Sequence, residues 1–88
     1  MTVYSNDVEG VKPRLHPEEA LRAAQDSVEG ASYLLEEFDK VVVRFDPKYR
    51  NFYGEWQVSF SPSRYVGGSL YVGVDDASGR ASPVWGGN

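Results

Sequence analysis

The stretch between Trp56 and Trp85 constrains the fold more than any other part of the chain. Trp56, Val58 and Phe60 alternate with Gln57, Ser59 and Ser61, and Leu70, Val72 and Val74 alternate with Tyr71, Gly73 and Asp75. Successive side chains on a strand point to opposite faces, so each run presents one apolar face and one polar face. A weaker run, Arg80 to Trp85, contains Pro83, which cannot donate to a ladder and so belongs on an edge strand. Upstream, Lys40 to Phe45 carries Val41, Val42 and Val43, whose branching at Cβ suits a pleated surface. The connections Asp46–Gly54, Pro62–Gly68 and Asp75–Gly79 are short enough for hairpins, so these strands read as an antiparallel meander.

Before the strands comes a helix signal. His16-Pro17-Glu18-Glu19-Ala20 places proline where a missing N–H costs nothing and two glutamates at the positive end of the helix dipole. Leu21, Ala24, Val28, Ala31, Leu35 and Phe38 then recur at spacings of three and four, which puts them on one stripe. Gly30 interrupts the pattern at a cost of roughly 1 kcal/mol relative to alanine. Either one helix spans 17–38 with a weak point at Gly30, or two helices meet there; the unbroken register favours a single helix. Residues 1–15 show no clean period and are interrupted by Gly10 and Pro13. They read as an irregular segment or a short edge strand, ahead of one helix-plus-sheet domain over 16–88.

At 88 residues the chain is one domain near the lower size limit for a self-sufficient core. Its two Trp, six Tyr and four Phe matter here, because each aromatic can bury roughly 150–250 Å². There is no cysteine, so packing rather than disulfides or thiolate metal sites must hold the fold.

The net charge of −4 is unevenly spread: residues 1–40 hold nine acids against four bases, and residues 41–88 hold four against five. An acidic helix beside a nearly neutral sheet is a poor match to nucleic acid. No apolar run approaches the ~20 residues of a membrane span, and the N-terminus has neither a basic nor a hydrophobic region of the signal-peptide kind. A complete chain of this type is expected in the cytoplasm; one from which a leader has been removed would be exported.

Three segments in order, Pro17-Glu18-Glu19-Ala20-Leu21, Trp56-Gln57-Val58-Ser59-Phe60 and Val72-Gly73-Val74-Asp75-Asp76-Ala77-Ser78-Gly79, resemble the helix start, Trp strand and acidic Gly hairpin of PepSY-like domains. The resemblance covers 16–85 and departs from that pattern in the length of the helix. It implies a non-catalytic module of a family associated with holding or inhibiting secreted proteases. The same helix-plus-sheet grammar is similar, more weakly, to small bacterial immunity proteins.

The catalytic inventory is thin. His16 is the sole histidine, so a Ser–His–Asp arrangement would have to use it, and its place before Pro17 suits capping or surface exposure instead. One histidine without cysteine leaves only carboxylates for zinc. Glu18/Glu19, Glu36/Glu37 and Asp75/Asp76 are adjacent pairs, and neighbours on a helix or strand diverge. The segment Asp75–Gly79 resembles a calcium loop but lacks its alternating oxygen ligands and distal glutamate, which favours a plain turn. No cofactor and no metal is expected.

What stands out is Lys48-Tyr49-Arg50-Asn51-Phe52-Tyr53, bases interleaved with aromatics, with Arg64-Tyr65 as a second piece. In a meander the two loops fall at opposite ends of the sheet, while the turn Asp75–Gly79 returns beside the first. Phe52 and Tyr53 could equally close the mouth of the core. If the helix covers the face bearing Trp56, then Tyr71 points away from it, onto an open face with Ser59 and Gly73.

The expectation is therefore an α+β fold, one long helix on a three- to four-stranded antiparallel meander sheet. The expected function is a non-enzymatic, inhibitory or chaperone-like protein-binding module using Tyr49, Arg50, Phe52, Tyr53, Arg64, Tyr65 and Tyr71. Its partner would be a protein (protease, toxin or enzyme) and neither nucleic acid nor membrane. The runner-up is an immunity-type inhibitor that presents its acidic helix to a basic toxin or nuclease, and behind it a small ligand-binding or enzyme subunit.

Overall fold

The computed structural model describes residues 2–5, 13–46, 54–62 and 68–87. Five strands form one sheet in the order β1 (Thr2–Ser5), β2 (Lys40–Asp46), β3 (Glu55–Ser61), β4 (Ser69–Asp75), β5 (Trp85–Gly87), and one helix, α1 (Pro17–Gly30), covers a single face. The fold is α+β, but the sheet is mixed. β1 runs parallel to β2, Thr2 pairing with Val41 and Tyr4 with Val43, and every other neighbour is antiparallel. An all-antiparallel sheet of three or four strands is thus corrected to five. A parallel pair needs a long crossover, and α1 supplies it. Four residues whose first three side chains are exposed carry too little apolar pattern to announce a strand.

The expected start of α1 is observed. His16 is the extended residue ahead of it, Pro17 follows, and the Glu19 carboxylate accepts the His16 backbone N–H at 3.0 Å. The end is not at 38. Tyr33 N donates to Val28 O (3.2 Å) and Ser32 N to Glu29 O (3.0 Å), with Ser32 at φ 69, a Schellman closure that turns the chain out of the helix.

Length accounts for this. Fourteen residues of helix rise about 21 Å and a seven-residue strand about 23 Å, so α1 matches the sheet, whereas 22 residues, at about 33 Å, would overshoot it. Leu35 and Phe38 still reach the margin of the core, carried there by a single 3₁₀ turn at Leu35–Glu37. Ala31, assigned to the stripe, is exposed.

The buried helix positions are Ala20, Ala24 and Val28. Two alanines in this row let the helix settle close over the sheet, above the large side chains Trp56 and Phe60. Alternation in all three long strands is kept: Val41, Val43 and Phe45, then Trp56, Val58 and Phe60, then Leu70, Val72 and Val74 are buried. Phe45 and Trp56 sit opposite in register with ring centroids 5.0 Å apart. The Phe45 ring also fills the space where a Cβ at Gly54 would stand, which explains glycine there.

One carboxylate lies inside this core. Asp76 accepts hydrogen bonds from Trp56 Nε1 (2.9 Å), Leu15 N (2.9 Å) and Arg14 N (2.7 Å), while its own N–H donates to Gly54 O (3.1 Å). Arg14 Nη1 reaches the neighbouring Ala77 carbonyl at 2.6 Å. The strap that leads into α1 is thereby tied to the turn after β4. Among the described residues no buried side-chain polar atom lacks a partner.

Candidate interaction surface

With α1 on one side, the alternate residues of every strand lie on a second face. Register places Val3, Val42, Ser59, Tyr71 and Trp85 in one row straight across all five strands. The next row carries Arg44, Gln57 and Gly73, and the row beyond it Asp46, Glu55 and Asp75.

Trp85 belongs to this face because of an irregularity in the last hairpin. Val74 bridges Ala81, yet Tyr71 pairs with Trp85, so three residues (Ser82, Pro83, Val84) oppose two (Val72, Gly73). This is a one-residue bulge. Since side chains alternate with period two, an uninterrupted register would aim Trp85 at the core side; the extra residue turns it outward. Ser82 maintains the ladder through the bulge. Its N–H donates to Gly73 O (2.6 Å) and its Oγ accepts from Gly73 N (2.9 Å), while Ser27 Oγ of α1 donates to Ser82 O (2.8 Å). Pro83 stands exposed in the bulge, consistent with its missing donor.

The outward Trp85 stacks on Tyr71, centroids 4.7 Å apart and planes 25° apart, and remains 59% exposed. Beside the stacked pair is a shallow depression of about 360 Å³ lined by Val42, Arg44, Glu55, Gln57, Ser59, Tyr71 and Trp85 among others. Gly73 helps to shape it: a Cβ there would run into the Glu55 carboxylate, which lies across the glycine.

At the acidic end, Asp75 accepts from Ser78 Oγ (2.6 Å) and Ser78 N (2.9 Å). Those bonds, the hydroxyl first, hold its carboxyl below the ordinary value of 3.8. Gly79 takes φ 75 and donates to Asp75 O at 2.7 Å, so the segment is a closed turn. Among the described residues no three His, Cys, Asp or Glu side chains gather as a metal site, and no helix is long and apolar enough to cross a membrane. His16 is exposed at the helix entry.

Of the residues expected at a binding site, Tyr71 lies on the open face as anticipated. Tyr49, Arg50, Phe52, Tyr53, Arg64 and Tyr65 lie outside the described residues. The anchors of their two loops, Asp46 with Gly54 and Pro62 with Gly68, fall at opposite ends of β3, and Asp76 beside Gly54 brings the acidic turn to the first. Sequence reasoning did not single out Trp85, Arg44 or Gln57. The Gln57 parity was available from the Trp56 strand, but the Trp85 direction depends on the bulge. Comparison of the chain with protein-family models, with curated proteins and with solved structures finds no match.

Proposed function

We propose that this chain is a non-enzymatic protein-binding module, of the inhibitory or chaperone-like kind that PepSY-type domains represent, and that it binds through the open sheet face. The observation that carries this reading is the bulge that turns Trp85 outward. A domain this small gains most by burying its indoles, and this one exposes a tryptophan beside a tyrosine instead. Tryptophan and tyrosine dominate the energetics of protein interfaces because they offer large, rigid area with a polar tip. The lining groups, an arginine, a glutamate, an amide and two hydroxyls, suit holding a partner more than making or breaking bonds. Tyr49, Arg50, Phe52 and Tyr53 fall between β2 and β3 in sequence, outside the described residues.

A second reading, an immunity-type inhibitor, places the partner on α1, whose exposed side carries Glu18, Glu19, Asp26 and Glu29. A photo-crosslinking residue at Gln57 samples the first surface and one at Glu29 the second. The open-face reading requires protein adducts from position 57 in extract of the source cell. Adducts from position 29 alone, weakening sharply with added salt, would replace it with the acidic-helix reading.

A further inference from the structure

We infer that the open face pairs with the same face of a second copy of this chain, about a two-fold axis running along β3. The inference rests on the reading of this face as a protein-binding surface and names one protein that fits it.

Topology places the axis. β3 is the middle strand of five, so a two-fold along it sets β1 over β5 of the second copy, β2 over β4, and β3 over itself. Each cross-strand row then meets the same row of the copy. Trp85 falls on the copy's Val3 and Tyr71 on the copy's Val42, a large side chain against a smaller one in both pairs. Val3 and Trp85 are 41% and 59% exposed at opposite margins of the face, and this one operation covers both. Face-to-face packing of aligned sheets is the geometry of β-sandwiches.

Groups on the axis must suit themselves. The two-fold sets Gln57 against Gln57 and Ser59 against Ser59. An amide and a hydroxyl each donate and accept, so both can bond to their own kind. A face that offers donors and acceptors together is what an isologous contact needs.

Charge is complementary one strand away from the axis. Arg44 and Gly73 flank Gln57 in one row, so Arg44 comes over the copy's Gly73. The Glu55 carboxylate lies across that glycine, where a Cβ would collide with it. Each copy therefore presents an exposed guanidinium to the other's carboxylate, in two reciprocal pairs. Glu55 keeps the interaction it already has, since an ionised carboxylate offers about four acceptor sites. At one margin Asp46 approaches the copy's Asp75, which offsets part of this gain. The three long strands and two short edges present a flat area of about 450 Å². That is the small end of specific interfaces, so the dimer is weak and exchangeable.

The test is sedimentation equilibrium of the whole chain from about 10 µM to about 1 mM, the range suited to a small interface. A reversible monomer–dimer equilibrium is expected. Arg44→Glu and Glu55→Arg should each weaken it about tenfold, because each sets like charges together. An equimolar mixture of the two variants should restore it, since both cross-pairs then join opposite charges. A variant that merely misfolds cannot be rescued in this way. The chain has no cysteine, so Gln57→Cys with a short bismaleimide should give a linked dimer, and Glu29→Cys on α1 should not. A chain that stays monomeric at the highest concentration overturns the inference. So does a dimer that Arg44→Glu leaves intact, or one that links through position 29. Weakening by both charge variants without rescue by their mixture overturns the two-fold register. The wider reading of the face is decided separately, by photo-crosslinks from position 57 to other proteins in extract.

Discussion

Trp56 Nε1 donates to Asp76 Oδ1 at 2.9 Å across 20 residues of sequence, and the same oxygen accepts Leu15 N–H at 2.9 Å. An indole that must be buried for its area still needs a partner for its one polar atom. Asp76 provides it and at the same time fastens the approach to α1.

Asp76→Ala should be the most damaging single substitution in the turn after β4. It leaves the Trp56 indole N–H and two backbone N–H groups without acceptors, at about 3–5 kcal/mol in total. Asp76→Asn keeps one acceptor oxygen and should cost about 1–2 kcal/mol. Urea unfolding followed by Trp fluorescence checks both, and equal small losses for the two variants would remove Asp76 from this role.

The Asp75 carboxyl makes its own acid-limb contribution. Its folded pKa is held below 3.8 by Ser78, so the stabilisation is present above that value and fades as pH falls through the lower folded value. Ser78→Ala should move the Asp75 titration upward, read by carboxyl ¹³C shifts. The stability difference between Ser78→Ala and the parent should be present at neutral pH and shrink as the solution becomes strongly acidic.

Deleting Pro83 removes the extra residue of the bulge and leaves Ala81 and Trp85 three positions apart, as Val74 and Tyr71 are, so a plain ladder still pairs Trp85 with Tyr71. Trp85 should then stay on the open face. Acrylamide quenching of tryptophan emission should match that of the parent, since Trp56 is buried and Trp85 supplies the accessible signal. A fall in quenching in a folded deletion variant would mean that register with Tyr71 does not set the direction of Trp85.

Two substitutions at the end of α1 should stabilise the fold. Nothing stands within 4 Å of a Cβ at Gly30, so Gly30→Ala should gain about 0.5–1 kcal/mol from reduced chain entropy. Ser32 holds φ 69, where glycine is unstrained, so Ser32→Gly should gain a comparable amount. Each should raise Tm by several degrees in calorimetry, and Gly30→Pro should lower it.

Local rules made much of this fold legible. The strand parity that buries Trp56, Val58 and Phe60 follows from alternation alone, and so does the exposure of Tyr71 on the reverse face. Pro17 and the glutamates after it marked where α1 begins. What misled was the continuation of the helix stripe through Gly30: Leu35 and Phe38 do face the core, but reach it after a chain reversal. A repeat of apolar residues records which side chains are buried and not whether the backbone between them stays helical.

Alternation and capping, set by neighbours within a few residues, thus determined the strands, the helix start and the two faces of the sheet. Tertiary structure alone decided the parallel entry of Thr2–Ser5, the burial of Asp76 against Trp56 and the outward direction of Trp85. Each of these depends on residues far apart in sequence meeting in a particular register. A one-residue shift in that register reverses the face a side chain occupies without altering any local pattern.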